Sequence, residues 1–183
     1  MMVKWVSRWA VLLVALVGLS AGPAAAAENL PISAFFGEFQ GSGVSETTDS
    51  IYFAVTQRDM DVTIRPEGDG FTVNWVTVTR QSGDPNNPNV KRKERSLTFK
   101  ASALPGIFKG ADKVDPMTGD YYWARISGNS LFVYVMTVGD DGKFQVQVYE
   151  RTLSGTGMQL RFTRIRDGEP VRTVDAKLVK VAD

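Results

Sequence analysis

The chain of 183 residues contains no cysteine and no histidine. Disulfides, thiolate nucleophiles, Cys/His zinc sites and Ser-His-Asp or Cys-His triads are therefore excluded. Of the common haem ligands only Tyr and Met remain. Charge of one sign is also lacking: 21 Lys and Arg stand against 20 Asp and Glu. Nucleic acid is not the expected partner, because phosphate recognition needs a clear basic excess on one face. The groups that most often move protons in catalysis are missing, and no Ser-Lys, Thr-Lys or carboxylate pair is recognisable by spacing. The expectation is a protein that is not an enzyme and that carries no cofactor. Beyond the N-terminal region, no amphipathic segment of helical period exceeds about two turns.

The first segment has a leader pattern. Lys4 and Arg8 precede the apolar run Trp9–Leu19; Ser20, Gly22 and Pro23 break it; Ala24–Ala27 offers an A-x-A cleavage site. The apolar run is short against the roughly 20 residues that span a bilayer. The expectation is a signal peptide over residues 1–27, a mature domain over 28–183 without a transmembrane segment, and a periplasmic location. No N-x-S/T acceptor and no cysteine occur, which fits a bacterial periplasm better than a eukaryotic secretory route.

What the chain has in abundance is alternation. Phe35–Val44, Ile51–Val55, the Met60/Val62/Ile64 run, Phe71–Arg80, the Leu97/Phe99/Ala101 run, Tyr121–Ser127, Leu131–Val138, Phe144–Leu153, Met158–Arg166 and Val171–Val181 read as strands. Gly128-Asn129, Asp140-Asp141-Gly142 and Asp167-Gly168 read as hairpin turns. The spacing predicts an all-β domain: one antiparallel up-and-down barrel of 8 to 10 strands, closed because a meander this long would otherwise leave bare edges. The one helical candidate is a short turn within Leu30–Phe36.

At Gly37-Glu38-Phe39 the chain resembles the opening of lipocalin-type (calycin) barrels, which begin with a helical turn and a G-x-W strand over which a late arginine packs. Gly41 and Gly43 are similar to the glycine-rich opening of nitrobindin-like barrels. The resemblance implies the barrel fold and makes Arg161, Arg164 or Arg166 the candidate covering arginine over Phe39. It does not imply haem, which nitrobindin-like proteins hold through a histidine absent here.

Four groups of residues are candidates for chemistry. Tyr121, Trp123 and Arg125 share one face of a strand and offer two aromatics beside a cation: either a pocket wall for an amphiphile with an anionic head or an external cation–π pair. Leu131–Val138 is apolar on both faces, so its outer side is either covered by Leu30–Phe36 or exposed to a partner. Asp112, Asp115 and Asp120 with Thr118 form an acidic loop without the spacing of a known calcium site, and no metal is assigned. Lys91, Arg92, Lys93 and Arg95 are either a solvated strand end or a contact for anionic headgroups.

Trp75 completes the expected ligand wall, since Phe71, Val73 and Trp75 share one face. The expected binding residues are therefore Trp75, Tyr121, Trp123 and Arg125. The function expected is a periplasmic, non-enzymatic binding protein for a small apolar or amphiphilic, lipid-like molecule. The alternative is an envelope interaction protein whose barrel is filled by aromatics from Phe39, Phe53, Phe71, Phe99, Tyr122, Phe144 and Phe162, and which docks another envelope protein.

Overall fold

The computed structural model describes residues 28–47, 56–80 and 90–183. A 3-10 turn, Ile32–Phe35, leads into ten strands: β1 Gly37–Thr47, β2 Thr56–Glu67, β3 Gly70–Arg80, β4 Val90–Ala101, β5 Ile107–Gly110, β6 Tyr121–Ser127, β7 Ser130–Val138, β8 Phe144–Ser154, β9 Gly157–Arg166 and β10 Glu169–Ala182. Each strand pairs with its sequence neighbours, and β1 pairs with β10, closing an antiparallel barrel. Closure leaves no bare sheet edge. The Asp167-Gly168 hairpin has both residues at positive φ, 48° and 89°, the backbone that a tight turn between twisted strands needs.

The expected strands are there, with differences. Phe35 belongs to the 3-10 turn and the first strand starts at Gly37. The Ile51–Val55 run and Phe53 lie outside the described residues. Lys91–Arg95 lies within the first half of β4, and β5 is not among the expected strands.

Side chains alternate between the lumen and the outer wall, as the pleat requires. In β2, Met60, Val62 and Ile64 are buried while Asp61 and Arg65 are exposed. The glycines of β1 serve a close approach: a Cβ on Gly41 would sit 2.0 Å from the Lys177 carbonyl oxygen, so glycine lets β10 cross there.

One end of the lumen is solid. Phe35, Phe39, Ile64, Phe71, Phe99 and Phe108 fill it. Phe71 stacks on Phe99 at 4.7 Å and meets Phe108 edge-on at 5.0 Å. The N-terminal segment plugs this end. Leu30 N–H donates to the Gly128 carbonyl (2.9 Å), and Gly128 N–H donates to Asn29 Oδ1 (2.7 Å). Leu30–Phe36 thus seals the barrel's end beside the β6–β7 turn and does not lie over the outer face of β7, which corrects that expectation. Its apolar residues find more buried area against the lumen's aromatics than on an outer wall.

Candidate functional site: the open half of the lumen

Toward the other end the large side chains of the described residues thin out. A cavity of about 260 Å³ opens there, with Met60, Val62, Trp75, Leu160, Phe162 and Val174 among its apolar lining. Trp75 and Tyr149 rings meet at 4.9 Å, and Tyr149 and Phe162 meet at 4.9 Å, so an aromatic wall runs across three strands. The Tyr149 hydroxyl donates to Gln147 Oε1 at 2.9 Å, and burial pushes its pKa up.

The upper lining is cationic: Arg58, Lys93, Arg95, Arg164 and Arg172 border the same cavity. Burial, then Arg172 and Arg164, pull the Arg58 pKa below its usual value. Burial, then neighbouring cations beginning with Lys91, do the same at Lys93. Arg95 is ion-paired with Asp120 and lies 5.9 Å from the Trp75 ring centroid. Arg58 Nε is buried and has no hydrogen-bond partner among the described residues.

Deeper still, on the same face of β8 as Tyr149, lies Arg151. It is 0 % exposed, and none of its three guanidinium nitrogens has a hydrogen-bond partner among the described residues. Among the described residues its close electrostatic company is aromatic: the guanidinium carbon is 5.4 Å from the Trp75 ring centroid and 5.3 Å from that of Tyr149. Burial pushes its pKa down to about 10, so it remains a cation at neutral pH.

Of the four residues expected to bind ligand, Trp75 lines the cavity. Tyr121, Trp123 and Arg125 do not: they project from the outer wall, because Tyr122, Ala124 and Ile126 of the same strand are the buried set. There Trp123 stacks on Tyr134 at 4.9 Å. Arg125 lies 4.7 Å over the Phe132 ring and donates from Nε to the Tyr134 hydroxyl at 3.0 Å. The outer face of β7 is thus dressed by its neighbour β6.

The basic cluster splits by alternation. Lys93 and Arg95 reach the lumen, while Arg92 turns outward to Glu94 at 3.4 Å.

The acidic loop disperses. Asp112 accepts from the Tyr122 hydroxyl, Asp115 Oδ1 accepts from Met117 N–H, and Asp120 pairs with Arg95. Among the described residues no three acidic groups gather in a metal-holding arrangement.

The cation found over Phe39 is Lys180 of the final strand, 6.0 Å from the ring, in place of the expected arginine. Arg161 pairs with Asp175 outside, and Arg164 lines the cavity. Phe144, expected inside, is 40 % exposed. A larger groove of about 930 Å³ crosses the outer wall over β8, β9, β10 and β1, but polar and charged side chains such as Glu150, Gln159, Arg161 and Asp175 make up much of its lining.

No family model matches the chain, and no curated protein matches it. Among solved structures, it is similar to a protein of unknown function from the DUF3598 family of Nostoc punctiforme PCC 73102, at a TM-score of 0.57 and 14% identity, over 88% of this chain. The chain spans 53% of that protein's length. An S-type phycobiliprotein lyase from Guillardia theta is a more distant match, at a TM-score of 0.39 and 10% identity, covering 83% of this chain and 91% of the other. What these comparisons establish is a shared barrel fold with the first of the two.

Proposed function

We infer that the protein binds a small apolar or amphiphilic molecule in the open half of its barrel and releases it unchanged. The cavity bounded by Trp75, Tyr149 and Phe162 carries this reading: it is concave, aromatic on its walls and polar at its mouth, the make-up of a ligand site. Its volume, about 260 Å³, lies at the small end of ligand pockets, which run from about 300 to 1,000 Å³. The ligand is accordingly a short-chain or single aromatic molecule rather than a long-chain lipid. Binding without turnover fits the chemistry on its walls: ionisable side chains among the lining are mostly Arg and Lys, which bind and orient charge but rarely act as nucleophile and base together. The leader pattern over residues 1–27 supports a periplasmic place for this activity.

1-Naphthylamine, a small, neutral and largely apolar fluorophore, tests the reading. Saturable fluorescence enhancement is expected, weakened at least fivefold in Trp75→Leu. A flat titration with folded protein would overturn it and favour the other reading, a barrel that docks a partner through its outer wall.

A further inference from the structure

The distribution of charge in the barrel goes a step further than the shape of the cavity. The chain as a whole is nearly neutral, and its outer wall carries both signs, with Arg65, Arg92, Arg125 and Arg161 among its cations, yet the cavity lining is mainly basic, with Asp120 paired to its Arg95. Glu38, Asp59, Asp61, Glu94, Glu150 and Asp175 alternate onto the outer wall, whereas Arg58, Lys93, Arg95, Arg164 and Arg172 line the cavity and Arg151 lies buried beneath it. Glu94 reaches the cavity's edge but is held on the outer side by Arg92.

A guanidinium that is wholly buried with three unpartnered nitrogens is costly, because it has left water without gaining hydrogen bonds. Cation–π contacts to Trp75 and Tyr149 offset part of that cost. A fold kept for stability alone would place an apolar side chain there. Buried unsatisfied donors of this kind call for a functional explanation. The arrangement also concentrates positive potential in a low-dielectric funnel, where the attraction for an anion is strongest and least screened.

Resting on the binding reading above, we propose that the ligand is an acid, a small aromatic or short-chain molecule with a carboxylate or phosphate group, and that it enters acid end first. Arg58 and Lys93 at the mouth draw it in. Its acidic group settles at the cavity floor beside Trp75 and Tyr149, where Arg151 supplies the countercharge. Its apolar body lies against Phe162 and Leu160.

Isothermal titration of the purified protein with 1-naphthoate, 1-naphthyl phosphate and naphthalene-1-methanol tests this, the three sharing one ring system. At least one acid is expected to bind tenfold or more tightly than the alcohol, and the tighter acid names the group. In Arg151→Met the preference for acid over alcohol should collapse by at least tenfold. Arg58→Gln, at the half-buried mouth, should reduce acid affinity severalfold and flatten its salt dependence, and it decides the matter should Arg151→Met not fold. Equal binding of alcohol and acids would overturn the acid proposal while leaving the binding reading intact. Binding of none of the three would overturn both. An acid preference unchanged in a folded Arg151→Met would overturn the role of Arg151.

Discussion

Burial holds the Arg151 pKa at about 10, well below its usual value. The folded protein therefore binds this proton less tightly than the unfolded chain, and the group's contribution to stability rises as pH climbs above about 10. Below about pH 10 the penalty is present in full, on the order of a few kcal/mol. Arg151→Met should raise the ligand-free stability at pH 7 by about 1–3 kcal/mol, the lost cation–π contacts taking back part of the gain. In urea unfolding the gap between the two proteins should narrow above pH 10. A variant less stable than the parent at pH 7 would mean that Arg151 holds the fold together. At the other extreme of size, Gly41→Ala should cost about 1–3 kcal/mol by thermal unfolding, because its Cβ meets the backbone of β10. The sequence marked Gly41 and Gly43 as unusual, but which strand passes against them depends on barrel closure, a long-range fact.

At the scale of the element, period-2 alternation placed most residues well where one face is uniformly apolar. In β4 the buried pair Leu97 and Phe99 shares a face with Arg95 and Lys93, so the lumenal direction of those cations is legible from spacing. β8 shows why alternation fails near a binding site. Its outer positions Phe144, Val146 and Val148 are more apolar than its inner positions Gln145, Gln147 and Arg151, so hydrophobicity points to the wrong face. Only the register corrects it: Arg151 stands opposite Leu160 and Tyr149 opposite Phe162, both lumenal residues of β9. The same ambiguity left Trp123 and Arg125 open between a pocket wall and the outer wall, since β6 carries aromatics on both faces. Arg125 belongs to an external ladder with Phe132 and Tyr134. Arg125→Ala should therefore leave naphthoate affinity unchanged and lower stability by about 0.5–1 kcal/mol, the worth of an exposed cation–π contact. A selective loss of acid binding in that variant would return the ligand site to the outer wall.

The whole molecule divides along its axis. The plugged half is a packed aromatic core, and the opposite half is hollow and cationic. Stability should follow that division. Phe35→Ala, at the plug, should destabilise the barrel by about 3–5 kcal/mol in chemical unfolding, as expected for emptying a fully buried aromatic site. Substitutions at the mouth should cost far less. The all-β barrel and its strand order were legible because turn signals and alternation are local; the hollow half was not, because a cavity depends on which side chains from distant strands meet. The most direct test of the account is the two-dimensional amide and indole NMR spectrum of the protein titrated with 1-naphthoate. Saturable shifts of the Trp75 indole and of amides at Arg58, Tyr149, Arg151 and Phe162 are expected, with the Trp123 indole unmoved. Shifts centred on Trp123 and Tyr134, or a spectrum unchanged at saturating acid, would contradict it.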